Sequence, residues 1–350
     1  MAQVDRSVFD PLSASAGQEA HYSRRGVSRA IRPVARRPRS NVAPSLRWSV
    51  LRRLSAWTSG LDDAVRRRVR AEERRLWKRP HMGLADAHAT AWRAYPCAFT
   101  LSTGRTGTET LASVLALSPR VVAAHEPAPR LLWASHQAYV SGVSDADGDE
   151  WQNVVLSARD DHVADAAHLG KTYVEANARL TFLAPVLARA FPASRFIHLH
   201  RCPFEFVRSG MARGYYQGHD TDLARITPLP GDPACADWDG WSAIQKVAWL
   251  WARTNDFVHD FFETLPRERT LRLDARGLLN GAPSVISELF DFIDAPPPPA
   301  AQVRRVIERK LAANGRRAGT RGMNLSVADC DAVWRIVADV APSLGYQPPR

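Results

Sequence analysis

At 350 residues and 45% hydrophobic content, the chain is long enough to bury one large core with an extension beside it. Its net charge of +11 is unevenly placed: residues 1–94 hold 20 Lys and Arg against 8 Asp and Glu, leaving 27 against 28 for the rest. Four scattered cysteines, with no C-x-x-C pair and no metal-ligand spacing, exclude a disulfide framework and suggest a reduced, cytoplasmic protein.

Residues 1–44 mix Ser, Ala, Pro and Arg without periodicity and read as a disordered basic tail. The opening Met-Ala-Gln-Val-Asp-Arg-Ser lacks the apolar core of a signal peptide, and no apolar run reaches the ~18 residues of a membrane span. Arg24, Arg25, Arg29, Arg32, Arg36 and Arg37 suit nucleic acid, an anionic membrane surface or an acidic partner, or simply stay solvated. Residues 45–94 form a basic amphipathic helical extension, with apolar spacing through Leu46, Val50, Leu54, Trp57, Leu61 and Val65. Such a segment lies on a membrane or packs against the domain or a second copy of the chain, as in a homodimer.

From residue 95 the pattern becomes β/α alternation, and residues 95–350 are expected to form one α/β domain. Phe99 to Leu101 is a short apolar, β-favouring run; Gly104-Arg105-Thr106-Gly107-Thr108 follows as a small-residue loop; helical spacing begins at Leu111, Val114 and Leu115. Strand, glycine loop, helix is the arrangement that cradles a phosphate on inward N–H groups and a helix N-terminus, with Arg105 adding a full charge. The nucleotide-hydrolase loop G-x-x-x-x-G-K-S/T is not matched, since its Lys and glycine spacing are absent.

Val121 to Pro127 reads as a second strand ending in His125-Glu126-Pro127, followed by a helix over 128–141. Residues 142–153, with Asp145, Asp147, Asp149 and Glu150, read as a solvated polar loop, because the rest of a calcium loop is missing. Lys171 to Asn177 is a third strand, Leu180 to Phe191 a helix, and Arg195 to Arg201 a buried strand ending in a basic residue. Pro203 fits the first turn of the next helix, which carries Arg208 and Ser209 and ends near Arg213. Arg201 then falls at the carboxyl end of its strand, where open α/β sheets bind ligands. Two such anion-reading sites suggest a ligand with two separated phosphates.

Gly214 to Gly240 is irregular and reads as a lid over an acceptor. Ser242 to Phe262 is helical and aromatic, Thr270 to Asp274 a strand, Ala282 to Ile293 a helix, and Arg316 to Gly322 a basic glycine loop. Ser326-Val-Ala-Asp329 is a capping box for a last helix reaching Leu344 to Tyr346.

Taken together, the two anion-reading stretches resemble the sulfotransferase family that uses 3'-phosphoadenosine 5'-phosphosulfate (PAPS), over roughly residues 95 to 346. That family's loop, Pro/Thr-x-Lys/Arg-Ser/Thr-Gly-Thr, is matched by Thr103 to Thr108; its strand-ending Arg and the Ser eight residues later are matched by Arg201 and Ser209. The resemblance implies a three-layer α/β sandwich with a central, mostly parallel sheet and a P-loop-like phosphate-binding loop. It implies transfer of a sulfuryl group from PAPS to a hydroxyl or amine of a small-molecule or glycan acceptor, with no metal. Gly104, Arg105, Thr106, Gly107 and Thr108 would hold the 5'-phosphosulfate, and Arg201 and Ser209 the 3'-phosphate. Trp249 is the candidate for stacking the adenine, and Arg317, in the basic glycine loop, for closing over the 3'-phosphate. Arg105 would neutralise the leaving oxygen. Glu126 is the expected base, with His125 the alternative; strand alternation would send only one of the two to the site. Arg105 in place of the commoner Lys favours the branch acting on glycans or protein side chains, and Cys202 replaces the usual Asp. The competing readings are a P-loop kinase or ATPase and an inactive sulfotransferase-like interaction module.

Overall fold

The computed structural model describes residues 91–143, 148–318 and 324–349. The basic tail 1–44, most of the extension 45–94, Asp145, Asp147 and residues 319–322 of the basic glycine loop lie outside the described residues, as does the side chain of Arg317.

Five strands form one sheet: β1 (Cys97–Leu101), β2 (Val121–His125), β3 (Thr172–Ala176), β4 (Arg195–His200) and β5 (Thr270–Asp274). Their order is β2-β3-β1-β4-β5, and every pairing is parallel. β1 sits in the middle, so all five of its residues are buried, Thr100 included, and the strand is largely apolar rather than alternating. Edge strand β5 alternates instead, with Leu271 and Leu273 inward and Arg272 exposed.

Strand alternation splits the core into two layers. Cys97, Phe99, Leu101, Tyr173 and Phe196 face one set of helices; Ala98, Val174, Ile197 and Leu199 face the other. The first set comprises α2 (Leu132–Ser141), α3 (Gly148–His168), α4 (Ala184–Ala190), α5 (Pro203–Met211), α6 (Ala243–Glu263) and α10 (Val327–Val337). The second comprises α1 (Thr108–Leu115), α7 (Ala275–Leu279), α8 (Pro283–Phe292) and α9 (Ala300–Ala318). The result is a three-layer α/β sandwich with a wholly parallel sheet. Among the described residues, no helix is long and apolar enough to cross a membrane.

Local signals explain several boundaries. Ser242 Oγ accepts from Gln245 N at 3.3 Å while Gln245 Oε1 accepts from Ser242 N at 3.0 Å, a reciprocal cap that starts α6. Ser326 and Asp329 do the same for α10. Other segments differ from expectation. Residues 148–153 belong to α3 rather than to a loop, because Val155, Val163 and Ala166 bury one stripe of a helix whose polar start hides that periodicity. The helix expected over 180–191 begins as a tighter 3₁₀ turn, Ala178–Leu183, before α4. Arg316 and Arg317 lie on the last turn of α9, not in a loop. The final helix stops at Val337, and a 3₁₀ turn, Ala341–Leu344, completes the chain's return to the sheet.

One ion pair is wholly desolvated. Arg159 on α3 reaches Glu175 on β3 through Nε–Oε2 at 2.6 Å and Nη2–Oε1 at 2.8 Å, and both side chains are 0% exposed. Tyr173 Oη and Asn177 Nδ2 also donate to the carboxylate, each at 2.9 Å, and Arg159 Nη1 donates to the Pro129 carbonyl at 3.0 Å. Every charged atom has partners, which is the condition under which such a pair holds. Two further polar residues, His198 and His200, are buried on β4. His198 Nε2 meets Asn255 Oδ1 at 2.8 Å, and His200 Nδ1 meets the Tyr346 hydroxyl at 2.7 Å. Burial, above all else, lowers their pKa values, to about 3 for His198 and about 4 for His200.

Two outcomes are expected. Arg159→Met strands a buried carboxylate and lowers unfolding free energy by ~3–5 kcal/mol, read from urea midpoints; a loss under 1 kcal/mol would contradict the desolvated pair. The unfolded chain protonates His198 and His200 near pH 6.5, well above their folded values. Stability is therefore complete above that pH and declines as pH falls toward 4, at ~1.4 kcal/mol per pH unit per histidine. Urea midpoints at pH 7 and pH 5 test this, with a smaller drop expected for His198→Gln; a midpoint that does not move would refute it.

Candidate functional site

The carboxyl ends of all five strands open on one edge, and a cleft of about 490 Å³ lies there. β1 has β3 on one side and β4 on the other, so the connections after β1, β4 and β5 diverge from those after β2 and β3. The cleft occupies that divergence, as expected at a topological switch point.

Its centre is the loop between β1 and α1. Gly104 (φ 74°), Arg105 (φ 56°) and Gly107 (φ 95°) all have left-handed backbones. The φ of 95° at Gly107 favours glycine, and a Cβ there would press on Leu279 Cδ2 at 3.2 Å. The loop is anchored at its root, where Ser102 N donates to Thr181 Oγ1 and Thr181 Oγ1 donates to Ser102 O, each at 3.0 Å. α1 begins at Gly107 with no side-chain cap, which leaves its first N–H groups without an intrahelical partner. Those donors are what an anion would use.

The second centre adjoins the first. Arg201 lies just past β4 and donates from Nη1 to the Arg105 carbonyl at 2.9 Å, across 96 positions of sequence. Arg105 in turn donates from Nε to Ser209 Oγ on α5 at 3.2 Å. Arg201 is oriented by Glu205 at 2.9 Å, and Trp251 Nε1 caps its carbonyl at 2.8 Å. Arg213, beyond α5, also lines the cleft. Burial first, then Arg213, lowers the pKa of Arg105, with Arg201 adding to the effect. Among the described residues, neither Arg105 nor Arg213 has a carboxylate within ion-pair distance. This half of the cleft is a crowded cationic pocket with free helix N–H groups, complementary to a multiply charged anion.

The other half begins at Glu126, the residue after β2. Its backbone is also left-handed (φ 44°), which breaks the strand alternation, so His125 and Glu126 both line the cleft. Their roles separate all the same. His125 Nε2 is engaged with Thr108 Oγ1 at 3.1 Å, tying β2 to the start of α1. Glu126 Oε2 stands 3.0 Å from Arg179 Nη1, an ion pair by distance without hydrogen-bond alignment. Beyond them the cleft is walled by α2, the 178–183 turn, α6 and the 221–226 turn.

Of the residues singled out from sequence, Gly104, Arg105, Gly107, Thr108, Glu126 and Arg201 line the cleft. Ser209 joins it through Arg105. Thr106 is 0% exposed and does not line it; its hydroxyl is buried behind the loop with no partner among the described residues. Trp249 is packed in the core, 5.1 Å from the Trp238 ring, and is not brought to the cleft. The lid segment 214–240 does contribute, through Tyr215, His219, Thr221, Ala224 and Arg225. Sequence reading missed Arg179, His136, Phe182 and Leu250. Arg179 had a usable signal, since it follows the end of β3 much as Arg201 follows β4. The other three sit on helical elements whose apolar spacing looks like ordinary core.

No protein-family model matches the chain, and no curated protein matches its sequence. Solved structures similar to it include the sulfotransferase domain from the curacin biosynthetic pathway, at 16% identity and TM-score 0.43, covering 72% of this chain and 98% of that one. The sulfotransferase domain of the Synechococcus PCC 7002 olefin synthase gives 16% identity and TM-score 0.42, covering 73% and 96%. Sulfotransferase STF9 from Mycobacterium avium gives 14% identity and TM-score 0.39, covering 72% and 78%.

Proposed function

We propose that this protein is a sulfotransferase that takes PAPS as donor and a hydroxyl or amine as acceptor. One observation carries the reading: the glycine loop after β1 and the Arg201–Ser209 pair after β4, read separately from sequence as two anion sites, are joined through Arg105 into one cationic pocket. A donor with a phosphosulfate at one end and a 3'-phosphate at the other fits that pairing. The α1 N-terminus without a side-chain cap, the glycine backbones at 104 and 107, and Arg105 and Arg213, which have no carboxylate within ion-pair distance among the described residues, support an anion of high charge.

When bound, PAPS supplies a sulfuryl group whose transfer to the acceptor oxygen breaks the S–O bond to the 5'-phosphate, giving a sulfate ester and 3'-phosphoadenosine 5'-phosphate (PAP). In this reading the loop N–H groups and Arg105 hold the 5' end and offset the negative charge developing on its leaving oxygen. Arg201 and Ser209 hold the 3'-phosphate. Glu126 takes the proton from the acceptor hydroxyl, and Arg179, at 3.0 Å, fixes the orientation of its carboxylate. His125 serves α1 rather than the acceptor. Catalysis then rests on positioning and charge, as in phosphoryl transfer.

Two measurements test this. Calorimetric titration without magnesium is expected to show PAP binding tighter than ADP, weakened at least tenfold (~1.4 kcal/mol) in Arg201→Ala. ADP preferred, or binding only with magnesium, would return the kinase reading to the front. Glu126→Gln is expected to lower single-turnover transfer by ~10²–10⁴-fold with PAP affinity unchanged; full transfer activity in that variant would remove Glu126 as the base.

A further inference from the structure

The β2/β3 half of the cleft differs in chemistry from the phosphate half. Leu132 on α2, Phe182 on the 178–183 turn, Ile226 and Leu250 on α6 line it from four separate elements. These elements are packed firmly together: the rings of Tyr139 and Phe182 are 5.0 Å apart, those of Phe182 and Phe257 4.9 Å apart, and the Tyr139 hydroxyl donates to the Thr227 carbonyl at 3.1 Å. The apolar wall is therefore a formed surface.

Charge in this half is already compensated. Arg179 is held by Glu126 at 3.0 Å. Arg225 pairs with Asp222 at 2.8 Å and lies 3.5 Å over the Tyr215 ring. Polar groups are mostly committed as well: Thr254 Oγ1 donates to the Leu250 carbonyl at 2.7 Å, and His219 Nδ1 meets Thr221 Oγ1 at 2.9 Å. Among the described residues, Arg179 Nη1, though ion-paired, has no hydrogen-bond partner, and His136, on α2, lines the cleft with Nδ1 buried and without a partner. A buried ring nitrogen left unpaired is costly, and a ligand group would relieve that cost.

We infer that this half is the acceptor site and that it takes an uncharged hydroxyl compound with an apolar body, aryl or alkyl, carrying a polar group that hydrogen-bonds His136 Nδ1. The inference rests on the sulfotransferase reading and narrows it. An anionic glycan would need free cations here, and an ammonium acceptor a free carboxylate; the described residues of this half offer neither. A neutral saccharide would place its hydroxyls against Leu132, Phe182, Ile226 and Leu250, leaving them unpaired. The apolar body enters from the β2/β3 side, and its reacting hydroxyl points toward Glu126, at the seam between the two halves.

The test is equilibrium binding of 2-naphthol, uncharged at pH 7, by calorimetry with and without saturating PAP, alongside cellobiose and glucuronic acid. Saturable 2-naphthol binding is expected, weakened at least tenfold in both Ile226→Asn and Leu132→Asn and at least threefold in His136→Phe. Cellobiose and glucuronic acid are expected not to compete. Circular dichroism and PAP affinity verify that each variant is folded. Competition by either sugar, or 2-naphthol binding unchanged in the folded Asn variants, overturns the inference even if PAP binds normally. Failure of PAP to bind, with 2-naphthol binding and its variant losses intact, sinks the donor reading and leaves the apolar site standing.

Discussion

All five strands run the same way, and β1 lies between two strands that come later in the chain. That single constraint places every connection that matters on one edge and forces the connections to part beside β1. Arg105 and Arg201 become neighbours because β1 pairs with β4, Leu101 opposite His198. Glu126 and Arg179 approach from the opposite side because β2 and β3 lie there. A sheet in simple sequential order would leave no crevice at this point.

The buried ion pair supports the second of those sides. Glu175 accepts from Arg159, Tyr173 and Asn177, and Asn177 Oδ1 accepts from the backbone N–H of Arg179 at 3.0 Å. Arg179 then reaches Glu126. A chain of polar contacts thus runs from the desolvated core to the carboxylate assigned as base, while Arg159 also holds the Pro129 carbonyl on the loop that follows Glu126. In a low dielectric such contacts reinforce one another. The position of Glu126 is consequently set by the core and not by a free surface loop.

Backbone strain falls on the same residues. Arg105 and Glu126, neither a glycine, hold left-handed conformations at a cost of ~1–3 kcal/mol each. Both are over-determined by neighbours: Arg105 by Ser209 and Arg201, Glu126 by Arg179. The two halves of the cleft then diverge in electrostatics. One concentrates guanidinium charge, with Arg105 and Arg213 lacking a carboxylate within ion-pair distance among the described residues; the other pairs its charges off and presents an apolar wall. A highly charged donor and an uncharged acceptor would each find their own side.

Much of this was legible in the chain itself. The largely apolar run before residue 102, the glycines that follow it and the helical spacing beyond point to a strand, a glycine loop and a helix, because a tight turn favours glycine and the apolar period changes across it. Strand-terminal Arg201, with Pro203 opening the next helix, was equally local, and together the two stretches pointed to the fold class and brought the residues of the proposed anion site into view. Partners distant in sequence were not legible. Nothing near Trp249 says that Trp238 encloses it, nothing near Thr106 says that its hydroxyl turns inward, and the polar opening of α3 concealed the helix that carries Arg159. His136 and Phe182 look like core by spacing, and become cleft residues only because α2 and the 178–183 turn meet beside β3. Periodicity reports which face of an element is buried, whereas what that face meets depends on strand order, and strand order is decided by the packing of the whole sheet.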